Sequence, residues 1–168
     1  MSNSSRLSWP KRKGRKRAMT DLLALYDLAE DHGIDVYWFD LGAAESLSLS
    51  MDDGSCAIAM DPWRMPTLAD EKCKLGHELG HCETGAFYNR YATHDLRQKY
   101  ELRANRWAYK KLIPKDELLD ALRQGYREPW ELAEYFDVTE PFLRGALEYY
   151  QAAAEGYGVQ VGHPFEEE

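Results

Sequence analysis

The pentapeptide His77-Glu78-Leu79-Gly80-His81 constrains this chain more than any other feature. In an α-helix, residues four apart stand one above the other, because 3.6 residues complete a turn. The two imidazoles therefore need a helix beneath them before they can reach one divalent ion from the same side. Glu78, next to the first histidine, then lies beside the ion without ligating it, where it can take a proton from water. The flanks supply such a helix. Thr67 with Asp70 three residues later is a capping signal, Leu68, Leu75 and Leu79 can face a core, and Gly85 offers a stop, so a helix is predicted over residues 67–83. Two solvated histidines on a surface helix are the plainer alternative, and this agreement of motif and helix signals weighs against it.

A metal site of this kind takes three protein ligands and keeps one position open for water or substrate. Glu101 is the best-placed third ligand: it follows His81 by 20 residues, which leaves room for a loop and a returning helix. Ala104 is small enough to let that helix approach closely, with His94 or an aspartate such as Asp95 as the fallback ligand. Asn105 lies one turn beyond Glu101, where its side-chain oxygen can accept the remaining ring N–H of a ligating histidine. Tyr88, Tyr91 and His94, between the two metal helices, are candidates for polarising a substrate carbonyl, although each also reads as a packing or solvated residue. Cys73 continues the histidine stripe, but about 12 Å of helix axis separates it from His81, so one ion cannot bind both. Cys73 and Cys56 read as buried thiols, and Cys82 is turned about 100 degrees from His81, away from the metal face.

The other elements follow from pattern. Leu22, Leu25, Tyr26 and Ala29 have helical spacing that ends at Gly33, and Ile34 to Leu41 is rich in strand formers. Leu47 to Met51 alternates, Asp52-Asp53-Gly54-Ser55 turns, and Cys56 to Met60 returns, which is a hairpin signal. Only helices are expected after Asp61: the histidine helix, one from about Asp95 to Ile113, and three shorter ones. Pro114 and Pro129 stand at helix starts, and Gly125 separates two of these helices. The last two have the cadence of a helix-turn-helix over residues 128–150. Arg144 is set there against Glu140 and Glu148, so they read as a structural pair and not as a DNA reader.

Charge divides the chain. Seven basic residues from Arg6 to Arg17 precede the first acid, leaving 14 basic against 29 acidic residues from Ala18 onward, a net of −15. Such a body repels nucleic acid. Residues 1–18 read as a disordered basic tail, able at most to touch phosphate non-specifically, and Met19 is an alternative start. Residues 156–168 read as a loose acidic tail. With no apolar run of spanning length and no signal-peptide segment, a cytoplasmic location and no membrane partner are expected. Three cysteines, an odd number, fit a reducing compartment and argue against a disulfide framework.

The motif, then Glu101-x-x-Ala104-Asn105-x-Trp107-Ala108, then Leu112-Ile113-Pro114, resembles the ImmA/IrrE metallopeptidases. The similarity runs from about Met19 to Tyr150 and includes the segment Glu131 to Thr139. It implies an α+β zincin-like domain over residues 19–155. A small antiparallel sheet is expected to pack on the histidine helix and the glutamate helix, with a helical C-terminal part. It implies one zinc per chain on His77, His81 and Glu101, with Glu78 as the catalytic base, and cleavage of a helix-turn-helix repressor of a phage or mobile element. Arg103 stands where many relatives carry an acid, which leaves the ligand set untouched. The sensor domain of one branch has no room here, so built-in sensing is not expected. The rival class is a metal-stabilised anti-repressor that binds its target without cutting it.

Overall fold

The computed structural model describes residues 21–88 and 91–156. The basic tail over 1–18 and the acidic stretch after Gly156 lie outside them. The described chain runs α1 (Leu22–Asp31), β1 (Asp35–Trp38), β2 (Ser46–Ser50), β3 (Cys56–Met60), a 3-10 turn (Pro62–Arg64), α2 (Leu68–Thr84), α3 (His94–Leu112), α4 (Lys115–Arg123), α5 (Pro129–Phe136) and α6 (Glu140–Gly156). This is the expected α+β class. Two details differ from expectation: α6 is as long as α2, at 17 residues each, and the sheet is mixed.

The strand order is β1-β3-β2. β2 and β3 form the antiparallel hairpin, with Ser48 opposite Ile58, while β1 runs parallel to β3, with Val36 opposite Ile58. Alternating residues mark a strand but carry no sign for its direction, which the connection decides. Here the chain leaves β1, passes the end of β3 and starts β2 on the far side. Asp61, almost fully buried, holds that crossing: its carboxylate accepts from Leu41 N at 3.1 Å and Trp63 N at 3.0 Å, and its own N–H donates to Glu45 O at 2.9 Å. Ile58 and Met60 are fully buried on the helix side of the sheet, and Leu47 and Leu49 on the opposite side are exposed.

α2 is the hub, reaching the sheet, α1 and α3. The Thr67–Asp70 capping box opens it and Gly85, at φ +60°, closes it. Leu75 and Leu79 are fully buried as expected, whereas Leu68, in the first turn, projects past the core and is exposed. α2 and α3 cross where Gly80 meets the backbone of Ala104; a Cβ at Gly80 would lie 2.4 Å from the Ala104 carbonyl oxygen. The first half of α2 is tied to the turn between α5 and α6. Fully buried Lys72 donates from Nζ to Phe136 O at 2.7 Å, capping the negative end of α5, and Thr139 N donates to Cys73 Sγ at 3.4 Å. Leu132, Phe136, Leu143 and Ala146 of that helical pair are core residues.

The cysteines require a correction. Cys73 is a free buried thiol, but Cys56 and Cys82 are joined in a disulfide, linking β3 to α2. A separation of 26 residues says nothing about proximity. The side-to-side packing of the central strand on α2 brings the two sulfurs together. The turn of Cys82 away from His81 is what aims it at the sheet.

Candidate metal centre

α2 carries His77 and His81 on the face turned toward α3, and the Gly80–Ala104 crossing lets α3 bring Glu101 to the same point. His77 Nε2 and His81 Nε2 are 3.1 Å apart; Glu101 Oε2 is 3.2 Å from the first and Glu101 Oε1 3.5 Å from the second. One ligand atom from each of the three residues lies within 4.8 Å of the others, a spacing that could hold a metal ion.

The other ring nitrogens test that fit. His77 Nδ1 is 2.8 Å from Asn105 Oδ1, and His81 Nδ1 is 2.6 Å from the backbone oxygen of Ala86. Both oxygens can only accept, so both Nδ1 atoms carry hydrogen and both Nε2 atoms of the neutral rings present lone pairs. Two lone pairs and a carboxylate converging on one point need a cation between them. Where a ring is protonated, its Nε2 donates to the Glu101 carboxylate instead. Hydrogen bonds from His77 and then His81 hold the Glu101 carboxyl far below the usual carboxylate range. Burial pushes the His81 imidazole down, but Glu101 and the Ala86 carbonyl outweigh it, and the net shift is upward. Asn105 thus stands where the sequence suggested, and the Ala86 carbonyl, a backbone group, had no signal in the sequence.

Glu78 is buried beside this cluster, and its Oε1 accepts from the Ser46 hydroxyl at 2.7 Å. Sequence reasoning missed Ser46, because a serine in an alternating strand reads only as the polar side of a sheet. Of the three candidate polarising residues, Tyr88 lines the site and Tyr91 and His94 do not. Tyr88 donates from its hydroxyl to Glu101 Oε1 at 2.6 Å, and this bond, chiefly, pushes its pKa up to about 12. Tyr88 also stacks on Tyr100 at 6.5 Å. His94 opens α3 with a side chain 88% exposed, near Asp95, and neither belongs to the His77–His81–Glu101 group; Tyr91 is also turned to solvent.

The cluster floors a groove of about 710 Å³. Its lining includes the β2 strand from Ser46 to Leu49, an edge of the sheet, together with Tyr88, Asn105, Thr139, Pro141 and Phe142. The helix-turn-helix-like pair therefore contributes structure to the groove. Its Arg144 is occupied by Glu140 at 2.6 Å. Among the described residues, no helix is long and apolar enough to cross a membrane. No curated protein matches the chain. A family model does: the peptidase M78 family, described as the IrrE N-terminal-like domain, matches residues 29–148.

Proposed function

Because the chain belongs to the peptidase M78 (IrrE N-terminal-like) family, we propose that it is an active zinc endopeptidase whose substrate is a helix-turn-helix repressor. The observation that carries the metal-dependent reading is the pair of Nδ1-protonated imidazoles aiming lone pairs at Glu101. Nitrogen and oxygen ligands in this number suit zinc with a position left open. His77, His81 and Glu101 would hold the ion, which when bound would supply Lewis acidity toward a water and a neighbouring carbonyl.

The protein's own groups do the rest. Glu78 takes a proton as the water oxygen bonds to the peptide carbonyl carbon, and it gives that proton to the amine nitrogen as the C–N bond breaks. One water is consumed and two chain ends are released. Tyr88 is the groove residue suited to donate to the carbonyl oxygen as charge develops there. Asn105 and the Ala86 carbonyl keep the imidazoles in the ligating tautomer. An extended substrate chain would pair with the edge of β2, leaving alternate side chains to the groove lining, Phe142 included. Support for a repressor substrate comes from the resemblance, and the acidic body argues for a protein target over nucleic acid.

The test is Glu78→Gln, incubated with the repressor encoded beside the gene, with and without chelator. The variant should keep its zinc and bind the repressor but cut it at least a thousandfold more slowly, since it lacks the base. Relief of repression by Glu78→Gln with the repressor at full length would replace the peptidase with the contact-only anti-repressor.

A further inference from the structure

Glu78 lies on α2, but the group that hydrogen-bonds its carboxylate comes from the sheet. Ser46 is the first residue of β2 and sits opposite Met60 of β3, so the two side chains share the helix-facing side. That placement brings Ser46 Oγ to 2.7 Å from Glu78 Oε1. The strand is pinned just before it. Glu45 O accepts from Asp61 N at 2.9 Å, and the Glu45 carboxylate makes an ion pair with Lys74, one turn before Glu78 on α2. The hydroxyl is thus presented by backbone held from two sides, to the carboxylate of a residue only 5% exposed.

We propose that Ser46 is a positioning residue for Glu78. A glutamate carboxylate turns freely about its last torsion, and terminal torsions of this kind are broad. The Ser46 hydroxyl occupies Oε1 and fixes the plane of the group, leaving Oε2 to handle the proton. It also couples the base to the groove wall, because β2, the edge strand among the described residues, would pair with an extended chain. The functional consequence rests on the peptidase reading, in which Glu78 is the base.

The test uses the full-length, zinc-loaded protein and acetohydroxamate as probe, a small zinc-binding acid whose hydroxyl proton passes to the carboxylate base as it binds. Ser46→Ala should weaken acetohydroxamate about tenfold, the order expected for one hydrogen bond to a charged group. Zinc affinity and melting temperature should stay at the wild-type values. Ser46→Thr, which keeps the hydroxyl, should restore binding. With a cleavable protein, Ser46→Ala should lower kcat and leave KM unchanged. Glu78→Gln is the reference variant. If it weakens the probe while Ser46→Ala does not, Ser46 has no positioning role and the peptidase reading stands. If Glu78→Gln leaves the probe unaffected, the base assignment fails and takes the Ser46 proposal with it. A parallel fall of probe affinity and melting temperature in Ser46→Ala, not rescued by Thr, would make the bond merely structural.

Discussion

Replacing Gly80 with Ala adds one methyl group at the point where α2 and α3 touch. The new Cβ would lie 2.4 Å from the Ala104 carbonyl oxygen, 3.0 Å from its carbon and 3.1 Å from its Cα. Comfortable contact needs roughly 3.5 Å, so the helices must separate by about 1 Å. The obstacle is backbone, so no rotamer change relieves it. Glu101 precedes Ala104 by less than a turn and moves with it, while His77 and His81 stay on α2. Metal–ligand distances tolerate only about 0.2 Å. The variant should therefore lose roughly tenfold to a hundredfold or more in zinc affinity, at least the loss typical when a ligand's support is removed. The stability change of the apo protein should be no larger than about 2 kcal/mol. Overpacking costs about 1–3 kcal/mol, and about 1 kcal/mol returns from the better helix propensity of Ala. Competition titration against a chromophoric chelator measures the first effect and calorimetry of the apo protein the second. Gly76→Ala is the control, because its Cβ would meet Leu112 Cδ1 at 2.9 Å, the flexible end of a side chain that can turn aside. Wild-type zinc affinity in Gly80→Ala, or equal damage from Gly76→Ala, would refute the claim that this crossing sets the ligand geometry.

Three further outcomes follow from the same contacts. Asn105→Ala should lower zinc affinity by about 10–100-fold with the fold intact, read by the same titration, because the His77 ring loses its Nδ1 partner. Zinc binding should weaken as pH falls, and the onset should lie above the ordinary histidine range. The upward shift at His81 means the proton competes for Nε2 at higher pH than in a free imidazole, which zinc titrations across pH would detect. Lys72→Met should destabilise the protein by about 1–3 kcal/mol in denaturant unfolding, because the Phe136 carbonyl loses its donor. Zinc affinity should be retained, since Lys72 faces the α5–α6 turn and not the groove.

Much of the site could be read from residue spacing because it is helical, and a helix fixes which residues share a face without reference to the rest of the chain. His77, His81 and the Glu101–Asn105 step belong to this class, and so do the Thr67 cap and the Gly85 stop. What escaped reading depends on elements distant in sequence. The parallel sense of β1 is set by the Asp61-held crossing, and the Ser46–Glu78 bond by the register of β2 on β3. The Cys56–Cys82 pairing needs the sheet to lie on α2 before it is visible. Tyr91 and His94 were indistinguishable from Tyr88 by sequence, since a loop carries no period. The path of this one decides that Tyr88 alone of the three reaches Glu101.

With His77 and His81 on α2 and Glu101 on α3, an ion held by all three would brace the helices as well as serve as a reagent. Folding and metal supply are then one thermodynamic problem. Free zinc at a hundred times its Kd would add about 2.7 kcal/mol to the folded state, a large share of what a domain this size possesses. The lifetime of the chain against cellular proteases would rise and fall with the zinc available to it, so that scarcity of the ion removes the protein itself as well as its activity.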